Sequence, residues 1–212
     1  MTEKERLRLL EITKIERELM DGGITMIAGM DEVGRGPLAG PVTVACVVLP
    51  VDSPIAHVKD SKKLTPKRRE ELYDQIMRAA ACVAVISEDE AAIDAINILA
   101  ATRRAMEKAA AELNPVPDVF LVDALDNLNL PARGRAIIGG DALCYSIAAA
   151  SIIAKVRRDR YMLEMDKLYP RYGFARNKGY GTAEHIAAIK AHGPCPIHRK
   201  SFLKKILGER HG

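Results

Sequence analysis

The chain has 212 residues, is 28% charged and 48% hydrophobic, and carries a formal net charge of +4. That length accommodates one domain with a sizeable core, and the composition is ordinary for a water-soluble protein. No apolar run approaches the ~20 residues of a membrane-spanning helix. The charged start, MTEKERLRLLEITKIEREL, lacks the apolar centre of a signal peptide. The expectation is a cytoplasmic protein with no membrane contact.

Residues 3–20 read as an amphipathic helix, broken by Gly22 and Gly23. Residues 24–30 are a short apolar run suited to a buried strand. Asp31 and Glu32 follow, then Gly34, Arg35, Gly36, Pro37 and Gly40, which cannot continue a regular element. Adjacent strand residues face opposite ways, so the two acids share a site only if the strand ends and turns there. Gly34 and Gly36 let backbone N–H groups approach a ligand closely. Arg35 offers a planar fork suited to phosphate. A strand ending in a charged turn is the plain alternative; the attached Gly-Arg-Gly favours a metal site beside a phosphate site.

Residues 42–49 read as a second strand, forming a hairpin with the first despite a long loop. The loop over 51–65 contains Asp60, Ser61, Lys62 and Lys63. Thr65 as N-cap and Pro66 behind it start a helix that runs to about residue 80. Strands are expected at 82–86, 119–122 and 136–138. Residues 88–113 are helical and broken in two. A long helix is expected over 142–168, terminated by Pro170 and Gly173, and another over 183–191. The reading is an α/β fold with a mixed sheet.

The four cysteines lack CxxC spacing, which argues against zinc. Residues 1–150 hold 18 Lys/Arg against 23 Asp/Glu, a net of −5, whereas residues 151–212 hold 14 against 5, a net of +9. A basic C-terminal portion points to a polyanion; a solvated helical surface is the plain alternative. The irregular spacing of His185, His192 and His198 favours surface or capping roles. Lys200, Lys204 and Lys205 read as diffuse charges.

Asp123 ends one strand run and Asp141 follows another, as Asp31 and Glu32 follow the first. Either alone has a plain structural reading, Asp141 as a helix N-cap above all. Repetition of the strand-end pattern favours a site, because ligand sites gather at strand ends of α/β sheets. Four clustered carboxylates repel one another unless cations lie between them. Mg²⁺ or Mn²⁺ suits such oxygen ligands. Two ions about 4 Å apart can bind a phosphodiester and activate water.

MDEVGRGPLAGPV, DSKKL, FLVDAL, GGDA, IAAASIIAKVRRD and NKGYGTAEH, in this order, resemble ribonuclease HII. The resemblance covers nearly all of the chain after residue 24. It implies a ribonuclease H-like fold, with 1–212 a single catalytic domain comprising an N-terminal helix over 1–23 and a basic helical extension over about 170–212. It implies metal-dependent endonucleolytic cleavage of RNA in RNA–DNA hybrids and at single ribonucleotides embedded in duplex DNA, leaving 5′-phosphate and 3′-hydroxyl ends. The family's metal-binding acids fall on Asp31, Glu32, Asp123 and Asp141. Its Gly-Arg-Gly motif falls on Gly34, Arg35 and Gly36, which would read the ribose 2′-hydroxyl and adjacent phosphates. Tyr180 falls on the family's junction-sensing tyrosine. Ser61, Lys62 and Lys63 match a motif expected near the nucleic-acid backbone. Leu143 stands where many members carry lysine, and Arg157 where threonine is common. A monomer is the default. A ribonuclease HIII type would need an extra N-terminal domain, for which the residues before the first strand are too few. The competing reading is a hybrid-binding protein without catalysis.

Overall fold

The structure is a computed structural model and describes residues 1–208. Five strands form one sheet in the order β3-β2-β1-β4-β5. The strands are β1 (Ile27–Val33), β2 (Val42–Val48), β3 (Cys82–Glu88), β4 (Val119–Asp123) and β5 (Arg133–Ile137). β1 pairs antiparallel with β2, β2 antiparallel with β3, and β1–β4–β5 run parallel. The expected hairpin and mixed sheet are both present.

β1 and β2 are buried along almost their whole length because helices cover both faces. One face meets α7 (Tyr145–Leu168), whose Ala148, Ala149 and Ala150 pack with β2, α1 (Glu3–Ile12) and α3 (Pro66–Ala79). The other meets α5 (Ile98–Glu112), through Ala105, Met106 and Ala109. Small side chains let α7 lie close to the strands. The contact is tightest at Gly29, where a Cβ would stand 2.0 Å from the backbone carbon of Ser146.

Four boundaries differ from the sequence expectation. β1 runs through both acids to Val33, because Asp31 and Glu32 pair with Ala45 and Val44 of β2. The turn comes afterwards, at Gly34 with φ +94°. The N-terminal helix is two helices, α1 and α2 (Lys14–Asp21). The hydroxyl of Thr13 donates to the Leu9 carbonyl (2.7 Å), a back-bond that bends helices. The expected 142–168 helix is also two, α6 (Gly140–Leu143) and α7, parted by extended Cys144. The fully buried Glu16 of α2 caps α7, its Oε1 accepting from Ser146 N (2.8 Å) and Ser146 Oγ (2.9 Å). The last strand covers Arg133–Ile137 rather than 136–138, because its pairing with β4 sets its span, and Ile138 is left exposed beyond it. The 88–113 segment divides as expected, into α4 (Glu90–Ile96) and α5 at Asn97; its φ of 66° and side-chain cap on Ala100 N mark the break.

Beyond α7, α8 (Phe174–Asn177), α9 (Ala183–His192) and α10 (Lys200–Leu207) enclose a smaller core of Met162, Tyr172, Phe174, Ile189 and Leu203. Chain 38–40 is hydrogen-bonded to it: Leu38 N donates to Gly179 O (2.8 Å) and Gly40 N to Ile197 O (2.8 Å).

The contact at Gly29 leaves no room for a side chain, and its neighbour is backbone. Gly29→Ala is expected to cost at least about 3 kcal/mol, read as a lowered urea midpoint with unchanged slope.

Candidate active site

Strand alternation decides which acids meet. Ile27 and Gly29 face α7, and so does Asp31, two residues on; Val119 and Leu121 face the same way, and so does Asp123. Parallel pairing of Met30 with Val122 sets Asp31 and Asp123 side by side, one step further along. Asp141 comes from α6, at the head of α7. One carboxylate oxygen from each of Asp31, Asp123 and Asp141 lies within 4.8 Å of the others. Glu32 is outside this group: it alternates with Asp31 along the strand, although its charge still bears on Asp31. Its Oε1 accepts from Arg35 Nη1 at 3.3 Å. Its Oε2 is buried with no hydrogen-bond partner among the described residues.

The site stores electrostatic repulsion. Burial first, then the charges of Glu32 and Asp123, holds the Asp31 carboxyl well above the ordinary carboxylate range. Burial raises Glu32 as well, partly opposed by the Arg35 guanidinium. Asp123 is also raised, by burial and by Asp141, against a hydrogen bond from Gly140 N (2.7 Å). Lys62 reaches in from the loop before α3: its Nζ lies 3.0 Å from Asp141 Oδ2, although the side chain is 78% exposed. Asp141 in turn holds that ammonium protonated above its usual range. Converging carboxylates, one orphaned buried oxygen and an all-oxygen donor set fit a hard divalent cation. The three aspartates can hold such an ion.

Beside the acids, Arg35 and Gly36 are exposed on the loop after β1, and Gly34 is buried beneath them. A methyl group at Gly36 would stand 4.0 Å from Tyr180 Cε1, so the 43%-exposed Tyr180 ring borders this loop. Ser61 is buried: its N–H donates to Ser151 Oγ (3.3 Å) and its carbonyl accepts from Arg69 (3.0 Å). Its visible role is to anchor the Lys62 loop. Lys63 is exposed.

The spacing of the histidines suggests surface or capping roles, but His185 and His198 are buried, their Nε2 atoms 3.0 Å apart beneath the Tyr180 turn. Arg158 and Arg199, which no sequence pattern singles out, are both fully buried under the 34–41 loop. Their only sequence signals are a place inside the IAAASIIAKVRRD motif for Arg158 and a place in the basic tail for Arg199.

A mixed five-stranded sheet that gathers acids at one end of its central strands, beside a glycine-rich loop, defines a hydrolase of the ribonuclease H-like class. The family model described as Ribonuclease HII matches residues 28–205. A ribonuclease HII of Acetivibrio thermocellus is 54% identical over 205 residues, covering 97% of this chain and 80% of that protein. One from Caldicellulosiruptor bescii is 51% identical over 194 residues, covering 92% and 94%. The crystal structure of ribonuclease H2 from Pyrococcus horikoshii superposes with a TM-score of 0.73 at 28% identity, covering 87% of this chain and 98% of that one. The Archaeoglobus fulgidus enzyme, solved as a PCNA:RNase HII complex, gives 0.69 at 26% identity, covering 83% and 94%. This chain belongs to the ribonuclease HII family. It is an endonuclease that hydrolyses the RNA strand of RNA–DNA hybrids, in a family that uses divalent metals.

The raised carboxyls set a sign for stability. Without metal, the folded state keeps a proton on Asp31 that the unfolded chain releases near pH 3.8. Stability in chelator therefore falls as pH rises from about 4 towards the raised folded value. Asp31→Asn removes that loss. In chelator at pH 7 the variant is expected to melt a few degrees above the parent, about 2–4 °C per kcal/mol, and no higher at pH 4. Added Mn²⁺ should stabilise the parent more. Thermal melts at both pH values check this.

Proposed function

We propose that this enzyme cuts 5′ of single ribonucleotides embedded in duplex DNA as well as within longer hybrids, leaving 5′-phosphate and 3′-hydroxyl ends. The observation that carries the reading is the convergence of Asp31, Asp123 and Asp141 beside the exposed Arg35–Gly36 stretch of the loop after β1. In this reading Asp31, Glu32, Asp123 and Asp141 hold two Mn²⁺ or Mg²⁺ ions. Such ions, when bound, supply an activated water and offset charge on the departing 3′-oxygen.

The chain's own groups do the rest. Arg35 carries its guanidinium at the surface and grips a phosphate beside the cut. The N–H groups around Gly34 and Gly36 read the ribose 2′-hydroxyl, the atom that separates RNA from DNA. Tyr180 packs against the deoxyribose after the ribonucleotide. Lys62, largely exposed beside Asp141, would be free to contact the nucleic-acid backbone, and Lys63 would add charge to the same track. Ser61 holds that loop in place. The basic C-terminal portion draws the duplex in over a longer range. The whole of 1–212 works as one catalytic unit, as a cytoplasmic monomer, and its substrates are hybrids and ribonucleotide-containing duplexes.

The test is incubation with a duplex containing one ribonucleotide, in Mg²⁺, Mn²⁺ or chelator, with the cut mapped at nucleotide resolution. Cleavage 5′ of the ribonucleotide in either metal and none in chelator is expected. Salt-sensitive binding with no cutting would replace this reading with that of a hybrid-binding protein. Asp123→Asn and Asp141→Asn should each lower kcat by at least about a hundredfold while circular dichroism is unchanged. Tyr180→Ala should lower cleavage at single ribonucleotides more than within long hybrids.

A further inference from the structure

Arg158 and Arg199 are both 0% exposed, and neither forms an ion pair with a carboxylate among the described residues. A buried guanidinium without a counter-charge is costly unless every donor is satisfied. Here each guanidinium nitrogen donates to at least one backbone carbonyl. Arg199 donates from Nε to Gly40 O (2.9 Å), from Nη1 to Arg35 O (3.0 Å), and from Nη2 to Gly34 O (2.6 Å) and Gly40 O (2.7 Å). Arg158 donates from Nε to Pro41 O (2.9 Å), from Nη2 to Ala39 O (3.0 Å) and from Nη1 to Lys178 O (2.8 Å). The two cations thus hold carbonyls from both ends of the 34–41 loop and one from the Tyr180 turn.

A trans peptide sets its C=O and N–H on opposite sides, and the peptides at 34–36 are trans. Drawing the Gly34 and Arg35 carbonyls inward therefore turns the N–H groups of Arg35 and Gly36 outward. Neither N–H has an acceptor among the described residues. They border the Tyr180 ring, which a second chain of hydrogen bonds fixes to the same frame. Cys195 N donates to His198 Nδ1 (2.9 Å), so His198 carries its proton on Nε2 and donates to His185 Nε2 (3.0 Å). His185 then donates from Nδ1 to Tyr180 O (2.9 Å). Both rings are neutral in this arrangement, in keeping with burial, which lowers His185 and brings His198 to about 4.

We propose that Arg199 is a positioning residue for ribose recognition: its grip on the Gly34 and Arg35 carbonyls presents the Arg35 and Gly36 amides, beside Tyr180, as donors to the 2′-hydroxyl and its phosphate. The proposal rests on the reading of the Gly-Arg-Gly loop and Tyr180 as substrate contacts, and it deepens that reading by naming what aims them.

Arg199→Met removes the cation at similar volume, a change that buried ionic sites often tolerate, and Arg199→Lys keeps the charge without the fork. The readout is kinetics on a single-ribonucleotide duplex, together with affinity for that duplex relative to an all-DNA duplex in an Asp123→Asn background. In Arg199→Met, KM should rise about tenfold or more with a smaller change in kcat, and the ribonucleotide preference should fall by a similar factor. Arg199→Lys should recover part of both. A folded Arg199→Met that keeps full preference overturns the positioning role. Tyr180→Ala separates the two levels: if it loses preference while Arg199→Met keeps it, only positioning fails, and if it keeps preference the underlying site reading fails too. Should Arg199→Met not fold, the parent protein decides by NMR. Arg35 and Gly36 amide shifts that move with the single-ribonucleotide duplex and not with the all-DNA duplex support the proposal; equal movement with both overturns it.

Discussion

The approach of α7 to β1 is the constraint on which the site depends. At Gly29 the helix backbone rests against the strand backbone, with no side chain between them. That distance brings the head of α7, and α6 before it, over the end of the central strands. Asp141 can then meet Asp31, while the parallel pairing of β1 with β4 supplies Asp123. The N-terminal helices take part as well. Glu16 of α2 lies under the first turn of α7 and accepts from its backbone, and Glu5 of α1 accepts from His57 N at 2.6 Å. That second contact steadies the loop that carries Lys62. These helices lie before the stretch that the family model matches, yet both ends of the acidic site lean on them.

The packing works against local electrostatics. Three aspartates are gathered, and burial favours the protonated forms of Asp31 and Asp123, as it does that of the neighbouring Glu32. The apolar contacts of α5 and α7 with the sheet supply far more free energy than this repulsion removes. A fold can therefore hold an unfavourable charge cluster ready for a cation, which relieves strain that the bare protein carries. Lys62 provides partial relief with a cation of the chain's own, on a side chain that is largely exposed.

A different physics governs the nucleic-acid side. The 34–41 loop has no regular structure to satisfy its carbonyls. Two buried guanidinium groups take that place and join the loop to the C-terminal helices. The +9 excess of residues 151–212 is thus of two kinds. Some of it is solvated charge available to a polyanion, and Arg158 and Arg199 are internal fasteners that no ligand reaches.

Local rules made much of this protein legible from its sequence. The apolar runs marked four strands and touched only the end of the exposed β5, Thr65–Pro66 marked the start of α3, and the acids at strand ends marked the site. The motif order carried the family, because the short-range patterns around Asp31, Asp123, Asp141 and Tyr180 are contiguous in the chain. What depended on pairing partners was not legible. β1 runs past both acids because β2 hydrogen-bonds to it there, so Glu32 alternates with Asp31 and lies outside the aspartate cluster. Glu16, Arg158 and Arg199 carry no local signal of their own, and the spacing of His185 and His198 suggests only surface or capping roles, since each acquires its role from groups elsewhere in the chain: 130 residues away for Glu16 and Ser146, 165 for Arg199 and Gly34. Periodicity and spacing report on neighbours within a few residues, whereas burial and hydrogen-bond partners across such separations exist only once the chain has folded.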